Sequence, residues 1–177
     1  MNDAHLLNER QVLGGRFGFN LASMEMKKHR EPVWRSRSNY RLAMKVDDAP
    51  FEEELWARQK SDTEFEICCI PFFIYDVHLG DVIKIVPHEN KNLVLGVGEP
   101  SGHHTFRVWF KAMSPLLREQ VLEEAARLSC ELEWFDERLL ALDAPDDTTA
   151  NELARWLEGK MRGGGLDYET GRTEDPA

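Results

Sequence analysis

The chain has 177 residues and a formal net charge of -10, with 42% hydrophobic and 31% charged residues. This composition is typical of a globular protein, and the length suits one ordinary domain. The acidity disfavours nucleic acid as a partner. It would suit a basic protein partner, but we interpret it first as a source of solubility. The sequence shows neither a signal peptide nor an apolar run long enough to span a membrane, so we expect a cytoplasmic protein without membrane contact.

Cysteine usage agrees with a reducing compartment. The chain has three cysteines, Cys68, Cys69 and Cys130. An odd number that includes two adjacent residues makes a poor disulfide framework. We expect Cys68 and Cys69, which lie in an apolar run, to be buried and reduced thiols.

Residues 1–39 predict a disordered leader, because glycines interrupt them and no apolar period runs through them. Their later part is basic and contains Trp34. The basic residues there are Lys27, Lys28, Arg30, Arg35 and Arg37. Basic residues beside an aromatic ring also bind phosphate backbones or membrane surfaces, but we interpret this segment as solvated and flexible. Residues 171–177 predict a disordered tail.

Residues 40–100 predict a small, curled antiparallel sheet. Alternating apolar and basic side chains over residues 40–46 predict its first strand. Residues 50–60 predict a short helix, because Pro50 suits a first turn and glutamates follow at the positive end of the helix dipole. Further strands are predicted over residues 63–75, 82–86 and 93–97. This succession of short strands favours such a curled sheet or a half-barrel.

Residues 101–170 predict the order strand, helix, strand, strand, helix, strand, which is the ferredoxin-like βαββαβ arrangement. Ser114 is a suitable cap for the first helix, and Asp146 or Asp147 for the second. Leu153 and Leu157 have the spacing of a buried helix face. Both helices should pack on one face of a four-stranded antiparallel sheet. We therefore expect an α/β protein of the α+β type, with one compact domain over residues 40–170.

The strongest candidate site is the loop that runs from Ser101 to Arg107. Its candidate ligand-binding residues, together with one from a neighbouring loop, are Ser101, Gly102, His103, Thr105, Arg107 and Asp81. Glycine lets backbone N–H groups face a ligand, arginine grips carboxylates or phosphates, and histidine shuttles protons. We expect Arg107 to emerge, partly exposed, at the seam between the two halves, near His103 and paired with Asp81. The alternative is a tight turn whose polar groups satisfy one another.

Catalytic signatures are lacking elsewhere. None of the six histidines stands in a zinc-hydrolase motif, and no nucleophile elbow or phosphate loop occurs. We expect no metal and no cofactor. His78 with Asp81, and His88 with Glu89, are interpreted as loop residues rather than metal ligands. The carboxylates of Glu131, Glu133, Asp136 and Glu137 would suit acid–base chemistry, but we interpret them as a solvated strand face.

Four short motifs, in this order and spacing, resemble a known family. They are Glu54-Leu55-Trp56, Ile70-Pro71-Phe72-Phe73, Leu79-Gly80-Asp81-Val82 and Ser101-Gly102-His103, the last followed by Thr105 and Arg107. The chain is similar, over residues 40–168, to the bacterial family known as domain of unknown function 4265. This resemblance implies domain limits and implies no activity.

Two classes of function remain open. The leading hypothesis is a non-enzymatic binding or regulatory protein for a small molecule or a basic protein, such as an acidic immunity protein that covers a basic toxin. The alternative is a small hydrolase or transferase that uses His103 with a nearby carboxylate. The oligomeric state does not follow from the sequence.

Overall fold

The structure, a computed structural model, describes residues 25–88 and 91–172. These residues form ten strands, arranged in two sheets, and two α-helices. The strands are β1 (Glu25–Lys28), β2 (Tyr40–Lys45), β3 (Phe51–Gln59), β4 (Glu64–Ile67), β5 (Val82–His88), β6 (Lys91–Glu99), β7 (His104–Phe110), β8 (Glu131–Trp134), β9 (Leu139–Ala144) and β10 (Leu166–Thr170). The helices are α1 (Pro115–Arg127) and α2 (Asp147–Arg162). This mixed architecture confirms the predicted α+β class.

The first sheet contains β1 to β6 and is built around β3. Strand β2 pairs with β3 along one edge, whereas β1 and β4 share the other edge, and β5 and β6 follow beyond β4. The pairs are antiparallel except for β1 with β3. The sheet curls, so that β2 and β6 line a common groove of about 650 Å³.

The helix predicted over residues 50–60 is wrong, because this segment is strand β3. Glu53, Leu55 and Ala57 point inward at every second position, and each is 0% exposed. A period of two belongs to a strand, and here one of the inward residues is a glutamate. The neighbouring Glu54 faces outward and pairs with Arg41 across the sheet at 3.3 Å.

The second sheet has the order β10-β7-β9-β8 with antiparallel pairs throughout, and α1 and α2 cover one of its faces. Ser114 caps α1 by accepting a hydrogen bond from the Leu117 N–H at 3.3 Å, and the Asp146 carboxylate caps α2 from the Thr149 N–H at 2.8 Å. The βαββαβ order and both caps agree with the prediction. The buried residues between helices and sheet include Phe106, Val108, Phe110, Leu140, Leu142, Leu153 and Leu157.

The expectation of a disordered leader is wrong for residues 25–39. Strand β1 pairs with β3, and His29, which directly follows β1 in the chain, is only 4% exposed. The Trp34 N–H donates to the Cys68 carbonyl at 3.2 Å, which ties the next segment to the sheet. Of the predicted tail, Gly171 is held by a hydrogen bond from its N–H to the Thr105 carbonyl at 2.7 Å. Residues 1–24 and 173–177 lie outside the described residues.

The two sheets meet at a seam formed by the long loop between β4 and β5. Residues of this loop pack against the face of the second sheet that the helices leave open. The small core at the seam consists of Ile70, Phe72, Leu79, Leu139 and Ala141, with Trp34 against it. Cys68 and Cys69 are buried free thiols, as predicted, and Cys130 is half-buried. None of the described helices has the length and apolar character needed to cross a membrane.

Candidate functional site

Asp81 organises the predicted binding loop from a buried position, where it is 2% exposed. One carboxylate oxygen accepts from both the N–H and the Oγ of Ser101, at 2.7 and 2.9 Å, and the other accepts from the His78 N–H at 2.7 Å. The Ser101 Oγ in turn accepts from the His103 N–H at 3.1 Å. Gly102 takes φ of +82°, a left-handed conformation that suits glycine. The polar groups of this turn thus bind one another.

His103 and Asp143 form a carboxylate–imidazole pair at the seam. His103 Nδ1 lies 2.6 Å from Asp143 Oδ2, and the two side chains are 21% and 1% exposed. The hydrogen bond to Asp143 raises the pKa of His103, and burial raises the pKa of Asp143. Asp143 Oδ1 is buried without a hydrogen-bond partner among the described residues. The pairing fixes Nδ1 and leaves Nε2 as the nitrogen for a further partner.

Arg107 belongs to a separate cluster and is 3% exposed, so its expected partial exposure and its pairing with Asp81 are both wrong. Its Nη1 lies 3.0 Å from Glu169, its neighbour across β10 and β7 in the sheet register. Its other nitrogens donate to the carbonyls of Pro71, at 3.3 Å from Nε, and of Ile74. The guanidinium therefore fastens the seam loop to the second sheet.

Thr105 forms a third small cluster with His78. The Thr105 N–H donates to His78 Nδ1 at 3.3 Å, and the Thr105 Oγ1 lies 3.1 Å from the same nitrogen. Burial lowers the pKa of His78, which favours a neutral ring. The six predicted site residues therefore divide into a turn around Asp81, the Arg107 cluster and this pair. The partner that the prediction missed is Asp143.

The most deeply buried polar cluster was not predicted and centres on His29. His29 Nε2 lies 2.9 Å from Glu53 Oε1 and its Nδ1 lies 2.6 Å from Glu133 Oε2, with all three side chains at most 2% exposed. Burial opposes the charge on His29 most strongly, yet Cys69 and the hydrogen bonds to both carboxylates raise its pKa well above 6.5. The raised pKa, together with a carboxylate oxygen within 2.9 Å of each ring nitrogen, favours the imidazolium form of His29. The interpretation of Glu133 as a solvated residue is wrong.

Backbone N–H groups complete this cluster, which we call the His29 clasp (His29, Glu53 and Glu133). Five N–H groups donate to the two carboxylates: Phe72, Phe73 and Ile74 to Glu53, and Val33 and Ile70 to Glu133. Since Glu53 lies on β3 and Glu133 on β8, the clasp joins the two sheets through the seam loop. It has no exposure through which a ligand could reach it, and we assign it to the fold. The signal in the sequence was the inward position of Glu53 in an alternating run.

Among the described residues, two of the cavities that border the last strand lie on its exposed stretch. One, of about 250 Å³, opens at the seam beside Arg107 and is walled by Phe72, Phe73, Trp109 and Leu139. The other, of about 430 Å³, we call the β10 groove. It is lined by Tyr75, Glu158, Met161, Tyr168, Glu169, Thr170 and Arg172. Within the described part of the chain, no group of three or more side chains has the arrangement of a metal site.

Comparisons with known proteins show a family and a fold. No curated protein matches this chain. A crystal structure titled as that of a hypothetical protein from Neisseria gonorrhoeae matches with a TM-score of 0.64 and 19% identity, covering 75% of this chain and 92% of that one. At that identity the likeness shows the fold alone. A family model described as Domain of unknown function (DUF4265) matches residues 53–168, which is more than half of the chain. The chain therefore belongs to the DUF4265 family, as its motifs predicted.

Proposed function

We propose that this chain is a cytoplasmic, non-enzymatic binding protein whose partner is a basic protein. The observation that carries the proposal is the β10 groove. Tyr75 in this groove is 41% exposed. Glu158 and Glu169 pair within the chain with Arg162 and Arg107, each at 3.0 Å, yet their side chains stay 36% and 53% exposed. Aromatic rings beside carboxylates are suited to lysine and arginine side chains, which pair with the charge and stack on the ring.

The overall charge supports the same class of partner. A formal net charge of -10 attracts a basic protein over long range and speeds its association. Arg172 adds a positive charge to the lining of the groove. The same residue also lines a neighbouring cavity between His78 and α2. The basic residues of the partner therefore belong beside Glu158, whose negative charge, after burial, helps to raise the pKa of Tyr168 in the same groove. In the immunity version of this proposal, the partner is a basic toxin.

The polar groups of the predicted loop already bond to one another or to the seam loop, which supports a binding function rather than catalysis. The Ser101 and His103 N–H groups are held by Asp81 and by Ser101 itself. Arg107 is committed to the seam loop and to Glu169. These groups stabilise the fold next to the β10 groove. Recognition of the partner is therefore left to the exposed groove residues, such as Tyr75 and Glu158.

The test compares two charge reversals that change the net charge equally. Glu158→Lys alters the groove, whereas Glu123→Lys alters an exposed position on α1 and serves as the control. We expect the wild-type protein and the control to retain a basic protein from the native host at low salt, and to lose it at high salt. Glu158→Lys should retain much less of it. The proposal fails if no basic protein is retained, or if the two variants behave alike.

A small hydrolase or transferase is the second candidate, and the His103–Asp143 pair favours it. A buried carboxylate that orients an imidazole is the arrangement of a general base. The test is turnover of a panel of chromogenic esters and phosphoesters. An activity that falls at least tenfold in Asp143→Asn and in His103→Gln, but not in the neighbouring His104→Gln, would support catalysis. Equal rates in all four proteins would exclude it.

A further inference from the structure

We propose that the partner binds by adding an extended strand to the free edge of β10, with basic side chains on one face of the added strand. This inference rests on the proposed function and specifies how the partner docks. Strand β10 ends its sheet, and no strand within residues 25–88 and 91–172 pairs with its outer edge. A free edge offers a row of backbone donors and acceptors to an incoming chain.

The hydrogen bonds at the two ends of β10 fix which backbone groups face outward. Before the strand, the Lys111 N–H donates to the Gly165 carbonyl at 3.1 Å. After the strand, the Gly171 N–H donates to the Thr105 carbonyl at 2.7 Å. The register with β7 continues without a shift between these points. In an antiparallel ladder, every second residue directs its N–H and C=O toward its neighbour.

This alternation makes Asp167 and Glu169 the residues whose backbones bond to β7. The backbone N–H and C=O groups of Leu166, Tyr168 and Thr170 therefore point away from the sheet. Leu166 is buried, whereas Tyr168 is half-buried and Thr170 is exposed. The accessible part of the edge is thus the stretch from Tyr168 to Thr170.

The β10 groove runs along this edge. Tyr75 lies on the seam side of the sheet, where its ring stacks on the Arg107 guanidinium at 4.3 Å. Met161 lies on the opposite side, where it packs with the helix-covered core. A cavity that touches both must pass over the outer edge of β10, because β7 closes the inner edge. The cavity thus has the edge as its floor and walls on either side.

An added strand would direct alternate side chains to the two walls. On the α2 side, Met161 and Tyr168 offer apolar contacts. On the seam side, Tyr75 and Glu169 offer an aromatic ring and a half-exposed carboxylate, joined by a hydrogen bond of 2.8 Å from the Tyr75 hydroxyl. The segment that fits alternates apolar residues with lysine or arginine.

A second copy of the chain fits this edge less well. Antiparallel pairing of two β10 strands about Tyr168 would place Asp167 of one copy opposite Glu169 of the other. Like charges directly opposite each other destabilise a sheet, and each copy brings a net charge of -10. A basic segment would instead place a cation opposite each carboxylate. Asp167 and Glu169 pair with Lys111 and Arg107 of this chain, yet they remain 54% and 53% exposed to such a cation.

The experiment uses the full chain and defined peptides. Fluorescence anisotropy would measure binding of a labelled peptide of alternating lysine and valine, with a peptide of alternating glutamate and valine as its charge control. Thr170→Pro removes an N–H that points away from β7, and Thr170→Val retains it. We expect the lysine peptide to bind, the glutamate peptide to bind at least tenfold more weakly, and Thr170→Pro but not Thr170→Val to weaken binding tenfold or more.

A second measurement leaves the protein unchanged, in case Thr170→Pro does not fold. Two N-methylated forms of the lysine peptide would be compared, one methylated at the lysine amides and one at the valine amides. Methylation should abolish binding in one of them, whose amides face β10, and spare it in the other. Equal loss in both forms, or none, overturns strand addition. A dimer that Thr170→Pro dissociates would also overturn it, because a second copy would then fill the edge. If the peptides fail while Glu158→Lys still loses the basic protein from the host, the docking mode is wrong and the proposed function stands.

Discussion

Removing one carboxylate from the His29 clasp should destabilise the whole protein, because the clasp joins the two sheets. Glu133→Leu leaves the imidazolium of His29 with one counter-charge and leaves the N–H groups of Val33 and Ile70 without their acceptor. Glu133 is 3% exposed, so water does not replace the lost carboxylate without opening the seam. Glu133→Gln is the matched variant, since its shape is the same and its amide oxygen retains an acceptor for both N–H groups.

The magnitude follows from what is left unpaired. Breaking a buried ion pair by removing one partner costs about 3–5 kcal/mol, and a buried donor without an acceptor costs about 1–3 kcal/mol. These effects overlap at one site, so we expect Glu133→Leu to lower the free energy of unfolding by about 3–5 kcal/mol. Glu133→Gln should lose about 1–2 kcal/mol, because His29 can become neutral and accept from the amide. The free energy of unfolding of a typical domain is about 5–15 kcal/mol, so the loss in Glu133→Leu would be a large part of it.

Urea unfolding as a function of pH provides the assay and a second check. The pKa of folded His29 lies well above its unfolded value of about 6.5. The stability that protonation contributes is therefore complete below about pH 6.5 and is lost as pH rises through the folded pKa. The difference in free energy of unfolding between the wild type and Glu133→Gln should therefore decrease as the pH rises through the folded pKa. A loss below about 1 kcal/mol in Glu133→Leu, or a gap that stays constant with pH, would refute the role of the clasp.

Three further substitutions test other parts of the fold by urea unfolding. Leu157→Ala should cost about 2–5 kcal/mol, because Leu157 is 0% exposed between α2 and the sheet; a loss below about 0.5 kcal/mol would place it outside the core. Arg107→Ala should cost about 3 kcal/mol, since two loop carbonyls lose a charged donor, and an unchanged midpoint would contradict that role. Gly80→Ala should cost about 1–3 kcal/mol, because φ is +82° and a Cβ would lie 3.1 Å from that of Ser101; a neutral effect would show that the turn relaxes.

The second sheet was predictable because its local signals agree with one another. The caps Ser114 and Asp146, the helical spacing of Leu153 and Leu157, and the alternation of β7 all indicate the same order of elements. Each signal depends on residues a few positions apart. The pattern therefore needs no knowledge of the rest of the chain.

The first sheet and the site were harder because their determinants are distant in sequence. Glu53 looks solvated until His29, which lies 24 positions away, is placed against it. Asp143 follows an apolar run, and its pairing with His103 spans 40 positions. Arg107 was expected to reach Asp81, yet the β10–β7 register presents Glu169 first. Pairings of this kind depend on sheet register, which local patterns do not specify.

The His29 clasp also sets the limits of the smallest autonomous folding unit. The family match begins at Glu53, but the cation that neutralises this residue comes from the segment behind β1. A fragment excised at the matched limits would bury two carboxylates with no imidazolium between them, and would expose the edges of β3 that β1 and β2 cover. Any piece meant to fold by itself therefore has to begin no later than residue 25 and to extend through Gly171, whose N–H closes the ladder with β7.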